Sequence, residues 1–166
     1  MKIFSGVALS AVLMTACIKS DTKCSYSDSK AVATAAEIDS IQRFLSDTGL
    51  IAAPDATGFF YKISNNGSGP GVTNLCSNVT VTYKGVFFNG HVFDSTTAGN
   101  VASFQLGQVI AGWQKGLPLI SKGGDISLYI PPSLGYGSSP VQDNQGNVII
   151  PASSYLIFNI HVMDIQ

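Results

Sequence analysis

The side chains able to do chemistry are few and grouped. The stretch VTYKGVFFNGHVFDST (81–96) holds a phenol, Tyr83, and a ring beside a carboxylate, Phe93-Asp94. VIAGW (109–113), GYG (135–137) and IIP (149–151) follow it. Brought together, these segments are expected to line one aromatic pocket carrying a single buried acid. Such a pocket suits an uncharged, proline-like group better than a phosphate or a sugar, since it offers apolar surface and no concentrated cations. His91 falls in a hairpin and His161 on the outer face of a strand, so no metal site is expected. The glycine-rich run NNGSGPG (65–71) lacks the Gly-Lys-Ser/Thr ending and following helix of a phosphate cradle, and reads as a turn.

The bulk numbers set the frame. A chain of 166 residues, 45% hydrophobic and 11% charged, accommodates one packed domain plus an extension. Its net charge of −1, without a Lys/Arg cluster, argues against a nucleic-acid partner.

The N-terminus reads as a targeting segment. Lys2 is a minimal positive region, and the apolar run Ile3 to Ala16 is shorter than the ~20 residues that span a bilayer. It runs into LMTAC (13–17), which resembles a bacterial lipoprotein signal. That resemblance implies removal of residues 1–16, a lipid on Cys17 and an exported, membrane-anchored product. Ile18 after Cys17 is no inner-membrane retention signal, which points to the outer membrane. Residues 17–34, polar and without periodicity, read as a flexible tether. Cys24 and Cys76 remain after processing. In an oxidising compartment they either pair or stay as two thiols.

The positioning elements follow from hydrophobic period. Ile38, Ile41, Phe44 and Leu45 give helical spacing within a segment 35–52, with the helix ending near Asp47–Gly49; its apolar face must dock either on the main domain or on a second copy, and docking on the same chain is the expectation. From residue 56 to 166 strands dominate: GFFYKI (58–63), the alternating run from Val79 to Tyr83, HVF (91–93), ASFQLG (102–107), KGGDISLYIP (122–131) and SYLIFNIHVMDI (154–165). Asn89-Gly90 predicts a two-residue hairpin with both residues at positive φ. AGWQKGLPLI (111–120) is the one helix inside this region, and 131–151 is a long loop. The expected fold is α+β: a twisted antiparallel sheet of about five strands wrapped on one short helix, preceded by an amphipathic helix.

VTYKG, VFDST, FQLGQVIAGW, IPPSLGYG and IIPASSYLIFNI occur in the order and spacing seen in FKBP-type peptidyl-prolyl cis–trans isomerases. The resemblance covers 78–166, with GFFYKI as a lead-in strand. It implies isomerisation of X–Pro bonds in proline-containing polypeptides, with no cofactor and no metal, and it admits a macrolide inhibitor. By position it implies that Tyr83, Phe93, Asp94, Trp113 and Tyr136 carry the activity. Val109, Ile110, Ile150 and Phe158 complete the substrate-binding wall, with the Ile110 amide and the Tyr136 hydroxyl as donors to carbonyls. In this reading Asp94 supports Tyr83 and is no general base.

Three departures from the family pattern stand out. No Arg follows Asp94 in TTAGN (96–100), Ala102 stands where a phenylalanine is common, and VQDNQGNV expands the loop after Tyr136. They bear on macrolide affinity more than on isomerisation. The rival reading is an FKBP-like module that holds exposed hydrophobic chains without turnover.

Overall fold

The structure is a computed structural model that describes residues 24–166. The expected signal segment and Cys17 lie outside the described residues.

Helix α1 runs Ala35–Thr48. Its start is a capping box: the Thr34 hydroxyl accepts the Glu37 N–H, and the Glu37 carboxylate accepts the Thr34 N–H at 2.8 Å. Its end is Gly49 at φ 68°, after which the Leu50 N–H returns to the Leu45 carbonyl. Both signals are local, and the helix ends where the sequence predicts, near Asp47–Gly49.

The strands are β1 (Ala53–Pro54), β2 (Phe60–Asn65), β3 (Asn78–Phe87), β4 (Val92–Ser95), β5 (Ala102–Gln105), β6 (Asp125–Ile130), β7 (Val141–Gln142), β8 (Val148–Ile150) and β9 (Leu156–Ile165). Seven form one antiparallel sheet in the order β1-β2-β6-β9-β3, with β4 and β5 both on the outer edge of β3. The six strand runs read from the sequence are β2, β3, β4, β5, β6 and β9, and the two-residue β1 completes the sheet, against an expected count of about five.

Cross-strand pairs share a face. Val81↔Val162, Tyr83↔Ile160, Ile126↔Ile160 and Leu128↔Phe158 therefore build an inner apolar face. Helix α2 (Ala111–Gly116), continued by a 3₁₀ turn at Leu117–Leu119, lies on that face. Two glycines one turn apart let it approach. A Cβ on Gly112 would stand 2.6 Å from Ile130 Cδ1, and one on Gly116 2.6 Å from Leu128 Cδ2. Burying the 0%-exposed Val81, Leu128, Ile130 and Val162 here contributes on the order of 2 kcal/mol for each side chain before entropy is counted.

The outer face divides in two. Asp125↔His161 and Ser127↔Asn159 are polar pairs, while Tyr129↔Ile157 is apolar. Helix α1 covers the apolar end, where Ile41 and Leu45 meet Phe60, Tyr129 and Ile157, and Phe44 stacks on Phe88 at 3.9 Å. The helix thus docks on its own sheet, as its apolar stripe requires.

Three local expectations change. The β3–β4 turn places only Gly90 at positive φ (84°), not Asn89. The Phe87 carbonyl accepts the Gly90 N–H, and the Phe87 N–H bonds the His91 carbonyl, giving a wider turn with a bulge. The 131–151 loop carries its own structure, a 3₁₀ turn at Pro132–Leu134 and the β7–β8 ribbon. Residues 24–34 are no free tether: Tyr26 and Ala31 pack on the core, Ala33 is buried, and Cys24 is bonded to Cys76 with Cα atoms 5.6 Å apart.

Candidate active site

A cleft of about 240 Å³ opens at the edge of the inner face. Its floor is Trp113, on the first turn of α2 and 4% exposed. Tyr83 from β3 meets the indole edge-on at 5.4 Å, Phe158 from β9 at 5.2 Å and Phe104 from β5 at 5.8 Å. Edge-to-face pairs of this kind each contribute about 0.5–1.5 kcal/mol beyond burial. The walls are therefore rigid before anything binds. The Trp113 Nε1–H is buried and finds no acceptor among the described residues. An orphaned buried donor costs about 1–3 kcal/mol, so folding alone does not favour an indole over a hydrocarbon at this floor.

The rim carries the polar groups, and the acid expected to be buried, Asp94, is exposed there because it sits on the edge strand β4. The Tyr83 hydroxyl donates to Asp94 Oδ2 at 2.5 Å. Burial first, and then the hydrogen bond and charge of Asp94, hold the Tyr83 phenol well above its ordinary value. Burial, then the charge of Asp94, raise Tyr136 likewise. Both phenols are therefore protonated donors at neutral pH. Tyr83 spends its proton on Asp94, while the Tyr136 oxygen, 40% exposed as a residue, is bonded to nothing among the described residues.

Val109 and Ile110 form the third side. Gln114 Nε2 donates to the carbonyls of Gly107 (3.3 Å) and Val109 (2.8 Å), which fixes the turn before α2. The Ile110 carbonyl accepts the Trp113 and Gln114 amides, while the Ile110 N–H meets no acceptor among the described residues. Two unpaired donors, the Ile110 amide and the Tyr136 hydroxyl, thus border one apolar floor.

Seven of the nine residues expected from the sequence line the cleft: Tyr83, Asp94, Val109, Ile110, Trp113, Tyr136 and Phe158. Phe93 and Ile150 do not. Phe93 stands behind the wall, edge-on to Phe158 at 5.4 Å and over Gly85, where a Cβ would come within 2.7 Å of its ring. Ile150, the last residue of β8, points from the β7–β8 ribbon into the core instead. Phe104 and Gln108 line the cleft and were not among the expected residues. The alternation of β5 was the available signal for Phe104; nothing local marks Gln108. A wider trough of about 540 Å³ crosses the outer face, lined by Lys84, Asp125, Ser127, Asn159 and His161. It is a broad open groove without the ring cluster of the cleft. Among the described residues no group of three His, Cys, Asp or Glu side chains converges to hold a metal.

An antiparallel sheet folded on a short helix, with an aromatic cleft at the helix N-terminus, defines the class. The family profile of FKBP-type peptidyl-prolyl cis-trans isomerases matches residues 72–163, and the chain belongs to this family. It is 43% identical over 112 residues to the FKBP-type peptidyl-prolyl cis-trans isomerase FkpA of Buchnera aphidicola subsp. Schizaphis graminum, covering 67% of this chain and 42% of that protein. It is 39% identical over 124 residues to the outer membrane protein MIP of Legionella longbeachae, covering 73% and 49%. Among solved structures it resembles FkpA from Escherichia coli, with TM-score 0.66, 34% identity, and 80% and 58% of the two chains covered. The chain spans less than half the length of these curated relatives.

Proposed function

We propose that this protein catalyses cis–trans isomerisation of X–Pro peptide bonds in polypeptides that fold in the bacterial cell envelope. The supporting observation is the aromatic cleft floored by Trp113 and bordered by two unpaired donors. An X–Pro bond turns over tens to hundreds of seconds unaided, across a barrier of about 18–20 kcal/mol. No bond to a nucleophile is needed. The twisted amide has lost resonance and is less dipolar than the planar one, so an apolar cleft favours it relative to water. The proline ring sits on Trp113 between Tyr83 and Phe158. The Ile110 amide and the Tyr136 hydroxyl bind the flanking carbonyls in ground and transition states alike, leaving the twist to the one bond between them. Asp94 keeps the Tyr83 ring oriented and takes no proton from substrate.

The anchoring belongs to the same proposal. Residues 1–16 are a signal removed in export, Cys17 carries the lipid, and the domain faces the envelope from the outer membrane. The sequence LMTAC (13–17) supports this reading, as does the name outer membrane protein MIP borne by one relative. More than one acyl chain makes such anchoring durable.

A protease-coupled assay on a proline peptide tests the catalysis, with and without a macrolide inhibitor. A rate above the uncatalysed one is expected, and a rate equal to it rejects the activity and leaves a holding module. Membrane fractionation of Cys17→Ser tests the anchor: the variant moves to the soluble fraction, and an unchanged distribution rejects lipidation at Cys17.

A further inference from the structure

The segment from Cys24 to Glu37 precedes the family-matched residues 72–163, yet it touches both loops that present the unpaired donors. On one side, Tyr26 lies on the loop leading to Ile110. Its ring occupies the place where Gly107 lacks a side chain, so that a Cβ there would land inside the ring. The Tyr26 hydroxyl donates to Gln105 Oε1 at 3.0 Å, and Gln105 Nε2 donates to the Cys76 carbonyl at 3.4 Å. The Cys24–Cys76 bridge ties the start of the segment to the same place, and Lys115 Nζ on α2 donates to the Ser29 carbonyl at 2.9 Å. Gln114 therefore grips the Gly107–Val109 carbonyls from within, and Tyr26 closes on the same turn from outside.

On the other side, Glu37 reaches the loop leading to Tyr136. Beyond its role in the capping box, Glu37 Oε1 accepts the Ser133 N–H at 2.9 Å and the Ser133 hydroxyl at 2.8 Å. Ser133 lies within the 3₁₀ turn Pro132–Leu134, whose first carbonyl also accepts the Gly135 and Gly137 amides that flank Tyr136.

Resting on the isomerase reading above, we infer that Tyr26 and Glu37 are positioning residues: the N-terminal strap sets the Ile110 amide and the Tyr136 hydroxyl at the spacing of the substrate's flanking carbonyls. Neither residue lines the cleft, so neither touches substrate. A misplacement of about 1 Å at such donors costs up to roughly 100-fold in the steps that depend on them. Because flanking carbonyls are held in ground and transition states alike, the loss falls on KM and spares kcat.

The test uses the full chain carrying Tyr26→Ala, Tyr26→Phe or Glu37→Ala. Tyr26→Ala is expected to raise KM by roughly tenfold at nearly constant kcat. Tyr26→Phe, which keeps the ring on Gly107, restores most of it. A merely structural role lowers the folded fraction instead, giving a lower apparent kcat at unchanged KM, and that outcome overturns the inference. Backbone amide hydrogen exchange supplies a readout independent of turnover. Tyr26→Ala should speed exchange at residues 107–110, and Glu37→Ala at 133–137, with the central strands β3 and β9 unchanged. Unaltered exchange in both loops, or equal acceleration everywhere, refutes the strap. An inactive wild-type chain that still shows the local exchange pattern rejects the isomerase reading and leaves the strap standing.

Discussion

Tyr83→Phe removes one oxygen and keeps the ring against Trp113 at 5.4 Å and Phe158 at 6.2 Å. What is lost is the 2.5 Å donation to Asp94. A hydrogen bond to a charged group contributes about 1.5–3 kcal/mol when shielded. Asp94 is exposed, so water replaces the phenol and the expected loss at neutral pH is nearer 1 kcal/mol. For a domain of this size that lowers Tm by roughly 3–5 °C. The sharper signature is alkaline. Burial, then Asp94, hold the folded-state phenol above its ordinary value near 10. The folded chain therefore keeps a proton that the unfolded chain gives up. The resulting stability is fully present below pH 10 and is lost as pH climbs from 10 towards the folded-state value. One proton changes stability by at most about 1.4 kcal/mol per pH unit, and by less here because the phenol partly reaches solvent. Tyr129 and Tyr136 are raised by burial as well, so the wild type weakens above pH 10 through several groups. Tyr83→Phe should weaken less steeply, and its deficit should close between about pH 10 and 11.5. Urea unfolding followed by circular dichroism from pH 8 to 11.5 measures both curves. Curves that stay parallel above pH 10 refute a phenol held protonated at this position.

Ile41→Ala, at a fully buried position of the α1–sheet contact, should cost about 2–5 kcal/mol by thermal unfolding while kcat/KM per folded molecule stays unchanged. A loss below about 1 kcal/mol would show that α1 does not dock on its own sheet. Gly116→Ala drives a methyl into Leu128 and should destabilise by about 1–3 kcal/mol in urea, whereas Gly90→Ala, with open space around it, should cost only its positive-φ strain of about 1–2 kcal/mol. Trp113→Leu removes the floor and its three ring contacts and should lower kcat/KM at least tenfold in the proline-peptide assay, on the order of 1.4 kcal/mol of transition-state stabilisation. Reducing the Cys24–Cys76 bridge, which spans 52 residues, should cost about 2–4 kcal/mol and lower Tm, read by calorimetry with and without reductant.

Much of the fold and site follows from the chain's own patterns, because those patterns are local. The period of Ile38, Ile41, Phe44 and Leu45 determines that α1 forms and that one stripe must be covered, and Thr34, Glu37 and Gly49 determine where it begins and ends. Alternation in β3 and β9 determines which residues share the inner face, and with it that Tyr83 and Phe158 look the same way. The residues of VIAGW place the indole and the Ile110 amide at the entry to α2. Tertiary structure decides what depends on partners far along the chain. Phe93 withdraws from the cleft because Gly85, on the neighbouring strand, leaves room for its ring against Phe158, while Phe104 comes forward through its pairing with Val79. The polar run 24–34 carries no period and reads as a spacer. It becomes a strap only because Gly107, Gly58 and Cys76 offer two gaps and a thiol that the linear pattern cannot bring to it. Period and capping are properties of a few consecutive residues; a gap is a property of two distant ones meeting, so the lining of the cleft and the strap behind it exist only once the chain has closed.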